Sequence, residues 1–184
     1  ARAFLPLDAS DALIQNVTGL SKKQLAEAKL DLEQHGIFSK GEFAHPLYRE
    51  VTLEGLPPAK RQQFARRALE ALQNDPIHAA SFVADAALES AEALDLLKRA
   101  AHAAKEKGHQ VRAGRLLAQA SDYTTAEEKG RLALEAAQTA GHVDEVLSLQ
   151  LVQQAMNLLI DKTEAIYTYA SILAVRGNLT EAEA

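Results

Sequence analysis

Apolar positions in the first third of the chain fall in helical rhythm, broken once by a short alternation. Residues 11–17 read as a short helix, and Thr18-Gly19-Leu20 turns the chain. Ser21-Lys22-Lys23-Gln24 has the spacing of a capping box, a serine N-cap with Gln three positions on. Behind it Leu25, Ala28 and Leu32 fall on one stripe of a second helix, and Gly36 after His35 supplies a left-handed C-terminal stop. Ile37-Phe38 and Phe43-Ala44 then flank Ser39-Lys40-Gly41-Glu42, which predicts a small β-hairpin. Pro46 opens a third helix to about Gly55, since proline is tolerated in a first turn. Leu56-Pro57-Pro58 interrupts it, and a long helix follows over 59–73.

From Asn74 onward the pattern is helical throughout. Asn74-Asp75-Pro76 is a turn with an Asp cap and Pro at the first helical position, and Ser90 and Thr125 are further N-cap signals. Of the 36 alanines in the chain, 25 lie after residue 75, and such small residues let helices approach closely. The punctuation recurs: Gly108, Gly141 and Gly177 lie 33 and 36 residues apart. Small, aliphatic or aromatic residues stand at matching offsets, Ala100, Ala133 and Tyr169 eight before each Gly, and Ala113, Val146 and Ala182 five after. Such units cannot bury their own apolar faces and must stack on neighbours. The spacing is close to the period of about 34 residues of the tetratricopeptide repeat. Helix, turn, helix and hairpin, in that order, match a winged helix. The expected fold is therefore mainly α: a winged helix with a small β-hairpin, followed by an α-helical, tetratricopeptide-like repeat solenoid. The expected boundaries are 1–56 for the winged helix, 57–90 for a linking helical hairpin and 91–184 for the repeats, the last truncated.

Charge and chemistry narrow the function. Residues 1–75 carry ten Lys/Arg and ten Asp/Glu; the remainder carry ten and fifteen. Duplex binding draws its affinity from neutralised phosphates, so the balanced first part and acidic second part argue against it. The chain has no cysteine, which excludes disulfides, thiol nucleophiles and Cys-ligated metals. No apolar run approaches the roughly 20 residues that span a bilayer. Phosphate-binding glycine loops, H-E-x-x-H and G-x-S-x-G are all missing. His102, Glu106 and His109 have helical spacing, but a Gly turn separates His109; Glu127-Glu128 and Asp144-Glu145 suit helix starts, where acids favour the dipole. His35 and His78 stand alone as surface or cap residues. No enzyme activity, metal or cofactor is expected of these residues. The start at Ala1 and the stop within a helical pattern read as a piece of a larger protein.

One stretch carries a resemblance. Phe43-Ala44-His45-Pro46-Leu47-Tyr48-Arg49-Glu50-Val51, then Leu56-Pro57-Pro58-Ala59-Lys60-Arg61, then Arg66-Arg67-Ala68-Leu69-Glu70-Ala71-Leu72 resembles the segment after the ATPase core of bacterial STAND-class regulators. These are signal-transduction ATPases with numerous domains, including the large ATP-binding LuxR-type and maltose-regulator-like activators. The resemblance covers residues 8–73 closely and the rest by architecture. It implies a transcription-regulating parent with an upstream ATPase domain as partner and ATP or ADP as its cofactor. It implies a protein or small-ligand effector on the helical repeats. It also implies that His45 senses nucleotide phosphate in the parent, with Arg49 one turn later on the same helix face. Pro46 stands where plant and animal relatives carry Asp, and Leu53 and Gly55 where bacterial members carry Tyr and Ser. The residues themselves leave a second role open for His45, capping the helix at Pro46 with its ring against Phe43. The alternative function is a free-standing winged-helix DNA-binding regulator with a helical effector domain, in which Lys22, Lys23 and Lys29 would face phosphate; Glu27, Asp31 and Glu33 offset them. No membrane partner is implied, and the cytoplasm is the default location.

Overall fold

The computed structural model describes residues 1–175. It is mainly helical, with one two-stranded antiparallel hairpin. The described residues form two compact units, 1–73 with 82–87, and 74–81 with 88–175. The segment expected to link two domains, 57–90, is divided between them.

The first unit begins with an irregular segment that no periodicity announces. Its Leu5 is fully buried, and Phe4 packs near Phe64 (6.2 Å between centroids) and Phe82 (5.6 Å). Helix α1 (Asp11–Thr18) buries Ile14 and Val17 and ends on Gly19. Helix α2 (Lys22–Gln34) carries the expected capping box: the Gln24 amide donates to the Ser21 hydroxyl (3.3 Å), and the Gln24 side-chain carbonyl accepts from the Ser21 amide (2.9 Å). It ends in a Schellman motif, Ile37 N–H to Leu32 O and Gly36 N–H to Glu33 O. The hairpin pairs β1 (Phe38–Ser39) with β2 (Glu42–Phe43), one residue inside the expected turn. Only Lys40 and Gly41 remain between the strands, both at positive φ (54° and 81°), as a type I′ turn requires. The Glu33 carboxylate accepts the Gly41 amide (2.9 Å) and ties this turn to the end of α2. Phe38 and Phe43 face each other across the ladder with centroids 4.8 Å apart.

Helix α3 (Pro46–Glu54) buries none of its residues. Helix α4 (Pro58–Ala71) packs against α1 and against α6 (Val83–Ala86), burying Phe64, Ala65 and Ala68. Its arginines complete those contacts. Arg67 donates to Val17 O at the end of α1 (3.1 Å), Arg66 to Ala86 O (3.1 Å) and Ala87 O (3.3 Å), and Arg61 to Leu53 O near the end of α3.

The second unit is helical among its described residues. The short α5 (Pro76–Ala79) packs on α7 (Ser90–Glu106), and Arg112 holds its Ile77 carbonyl (3.1 Å). Then α8 (Gln110–Ala120), α9 (Ala126–Ala140), α10 (Glu145–Leu158) and α11 (Thr163–Val175) follow, and α7 through α11 each pack chiefly on the next. Small residues line these contacts: Ala93, Ala100, Ala104, Ala113, Ala133, Ala136, Ala137 and Ala140 are all fully buried. The backbones come close enough that a methyl group built on Gly114 would sit 3.0 Å from both the Ala136 carbonyl oxygen and the Ala140 Cβ.

Thr125 is the N-cap of α9 as expected, without a side-chain cap bond. Two expectations shift. Ser90 is the first residue inside α7, with Glu89 as the N-cap. Before the glycines, Ala100 and Ala133 are both fully buried, while Tyr169 is half-buried. After them the match breaks: Ala113 is fully buried but Val146 is 69% exposed. The physical reason is a 3-10 turn, Gly141–Val143, and an Asp144 cap before α10, so α10 starts four residues after its Gly and α8 only two. Ser148, fully buried and donating to Gly141 O (2.8 Å), takes the place that Ala113 has in α8. Gly177 and Ala182 lie outside the described residues.

Two outcomes follow from these packings. Gly114→Ala forces two helix backbones apart, and chemical denaturation is expected to show a loss of about 1–3 kcal/mol, as for other overpacked sites. Arg67→Met leaves the end of α1 without its donor; the same measurement should register a loss of about 1–2 kcal/mol.

Candidate functional site

The residues singled out in the first unit lie around the hairpin and α3. His45 is the N-cap of α3, and its Nδ1 accepts the Leu47 amide at 3.1 Å. Pro46 at the first helical position lacks an amide proton, so Leu47 offers the first donor the cap can take. The ring stands edge-on to Tyr48, 6.4 Å between centroids, and not against Phe43, which Phe38 already engages. Because Nδ1 accepts, the ring proton of neutral His45 resides on Nε2, and the side chain is exposed. An exposed N–H donor at the start of a helix is suited to an anion.

Arg49 follows one turn later, but its Nε donates to the Ala3 carbonyl (3.0 Å) in the N-terminal segment. No hydrogen bond joins it to His45 among the described residues. Along α3 the exposed side chains Leu47 (54%), Tyr48 (44%) and Val51 (59%) form an apolar row. A cavity of about 640 Å³ opens where α3 runs into α4, beside α6; Leu56, Pro58, Arg61, Gln62, Asp85 and Ala87 line it, and neither His45 nor Arg49 does.

The lysines considered for phosphate are differently occupied. Lys29 pairs with Asp11 (2.5 Å) and Lys23 with Glu27 (3.8 Å), while Lys22 is exposed and unpaired among the described residues. All five arginines of residues 1–75 donate to backbone carbonyls: Arg49, Arg61, Arg66 and Arg67 as above, and Arg2 to Pro6 O and Leu7 O. That use of arginine has no sequence signature, because it depends on which carbonyls the fold leaves open.

In the second unit His102 pairs with Glu106 (3.6 Å) at an exposed site, and among the described residues no group of three His, Asp or Glu side chains converges as metal ligands would. Glu127 and Glu128 lie in the first turn of α9, Glu128 paired with Lys98 (2.8 Å). Asp144 caps α10 through the Leu147 amide (3.2 Å) and pairs with Arg115 (3.1 Å). His35 hydrogen-bonds through Nδ1 with the Asp31 carbonyl (2.8 Å) at the end of α2. His78 returns to the cap of its own helix: Asp75 accepts the His78 amide (3.3 Å) and meets its Nδ1 (2.5 Å). No described helix is long and apolar enough to cross a membrane.

Compared with protein-family models, curated proteins and solved structures, the chain matches none of them.

Partial burial works against ionisation of Asp75, but hydrogen bonds from the His78 ring and amide and the charges of His78 and Lys107 outweigh it, so its carboxyl lies below the ordinary value. A carboxyl depressed on folding stabilises the fold above its unfolded value of about 3.9, and this contribution disappears as pH falls through the lower folded value. Urea midpoints taken from pH 6 down to about pH 2 should therefore fall less steeply for Asp75→Asn than for the wild type.

Proposed function

We propose that the chain is a non-catalytic regulatory part of a STAND-type transcriptional regulator. In this proposal residues 1–56 act as a winged helix that couples an upstream ATPase switch to the helices of the second unit. Those helices act as tetratricopeptide-like repeats and offer a surface for a protein or small-ligand effector. The resemblance of residues 43–72 to that family motivates the assignment, and the order of α1, α2, hairpin and α3 supports it. Successive stacking of α7 to α11 is the nearest-neighbour packing that helical repeats use.

The observation that supports the proposal is the capping geometry of His45. Its Nδ1 is committed to the α3 amide, which fixes the ring and leaves Nε2–H exposed as a donor for a phosphate oxygen of ADP held by the parent's ATPase domain. Capping and sensing thus use opposite edges of one imidazole. The use of every arginine in residues 1–75 on backbone carbonyls favours this over DNA binding, since phosphate recognition draws on free cationic side chains.

The full parent provides the test. His45→Asp retains an acceptor for the Leu47 amide but cannot donate to phosphate. ADP dissociation, followed by release of a fluorescent analogue, is expected to rise about tenfold or more, the loss of one charge-assisted hydrogen bond. His45→Ala should do the same while also weakening α3. Unchanged ADP release in both variants would remove the sensor role, and a parent without a nucleotide-binding domain would remove the proposal as a whole.

A further inference from the structure

The cavity between the end of α3, the first turns of α4 and the end of α6 is lined by polar side chains of both signs. Glu54 and Asp85 bring carboxylates, Arg61 a guanidinium and Gln62 an amide. Arg61, Gln62 and Asp85 are half-buried, and Glu54 stands exposed at the end of α3. Polar groups withdrawn from water ordinarily take a partner. Among the described residues the side chains of Glu54, Gln62 and Asp85 take none.

The arginines nearest in the fold leave these acids unpaired. Arg66 spends its donors on the Ala86 and Ala87 carbonyls, next to Asp85 in sequence, and Arg61 spends one on Leu53 O. Those bonds fix the walls instead. Arg66 holds the end of α6, where Ala87 sits at φ 47°, a left-handed conformation that a residue other than glycine enters at a cost. Arg61 holds the end of α3. The cavity is thus formed without an occupant, as small-molecule sites mostly are, and its volume of about 640 Å³ lies within their range of about 300–1,000 Å³.

We infer that this cavity binds a basic amino acid of the lysine or arginine type. Two carboxylates and one guanidinium give the lining a net charge of −1. A basic amino acid carries the complement, two cations and one carboxylate. Its carboxylate meets Arg61, whose bond to Leu53 O occupies one of five N–H donors and holds the group in place. One carboxylate needs no more than this single guanidinium, whereas a duplex needs a run of free cations. The α-ammonium meets the half-buried Asp85, with the Gln62 side-chain oxygen as a further acceptor. The side-chain cation meets Glu54 at the exposed edge, and the methylene stem lies along Leu56 and Pro58. Neither His45 nor Arg49 lines the cavity, so this site and the sensor role of His45 stand or fall separately.

NMR titration of the 184-residue chain with L-lysine tests it. Amide shifts should centre on residues 54–62 and 84–87 and saturate near millimolar concentration, on the order of 1 mM. L-leucine lacks the second cation, cadaverine lacks the carboxylate, and L-glutamate has the wrong sign at its side chain. Lysine is expected to bind about tenfold more tightly than leucine or cadaverine, and glutamate not at all. Asp85→Asn should weaken lysine and leucine alike by about tenfold. Glu54→Gln should reduce lysine to the affinity of leucine and leave leucine unchanged. Both substitutions keep the side-chain shape, and circular dichroism checks that the variants are folded. Absence of saturable shifts at these residues overturns the inference. So does leucine or cadaverine binding as tightly as lysine, or lysine affinity indifferent to either substitution.

Discussion

The end of every helix leaves carbonyl groups without an intrahelical donor, and in a compact unit those groups cannot all face water. The first unit depends on how this is met. Its helices are short, so it has many ends for its size. Arg67 closes the end of α1, Arg61 the end of α3 and Arg66 the end of α6, all three from one helix, α4. A guanidinium suits the task because it offers several donors in a fixed fork and carries the charge that a helix C-terminus favours. Helix α4 is therefore both a packing surface and a set of donors. The consequence for recognition is direct: every arginine of residues 1–75 already directs donors at a carbonyl of its own chain.

What could be foreseen in the sequence was local. The Ser21 capping box, the Gly36 stop, the hairpin with its turn within Ser39–Glu42 and the Asp75-Pro76 helix start each involve residues within a few positions of one another. Their geometry is decided by backbone chemistry before any tertiary contact forms. The features that escaped are long-range or depend on insertion. Leu5 is fully buried in a segment with no periodicity, placed there by the aromatic contacts of Phe4 with Phe64 and Phe82. The arginine bonds span as many as 50 residues along the chain. The shift from Val146 to Ser148 came from a two-residue lengthening of a turn, which glycine spacing alone does not reveal. At the candidate site, the capping role of His45 was legible in the His-Pro pair, but the neighbour of its ring was not. That neighbour was decided by the pairing of Phe38 with Phe43, which removed Phe43 from reach.

The two units solve burial by different means. The first uses a few large side chains, Leu5, Phe38, Phe64 and Phe82, and directed hydrogen bonds to carbonyls. The second uses many small side chains and close backbones, so that a single added methyl at Gly114 or Gly130 meets its neighbours at 3.0 Å. Gly130 shows the second solution at an end: the start of α9 closes directly on Leu158 and Leu159 at the end of α10. The first arrangement positions particular groups, as the fixed ring of His45 illustrates. The second repeats one kind of contact, each helix on the next, along the chain.

The alanine-lined contacts of α7, α8 and α9 have a kinetic side as well. Alanine has no rotamers to lose, so ordering it costs only backbone freedom. Each helix also draws its burial chiefly from the helices next to it in sequence, which keeps loop closure short. Such a stack can begin folding at any adjacent pair and grow outward without waiting for distant segments to meet. Amide exchange in the second unit would then be graded, slowest at α8, α9 and α10, which each pack on a helix at either side, and faster toward the outer helices. A nascent chain could secure the earlier helices while the later ones were still being synthesised.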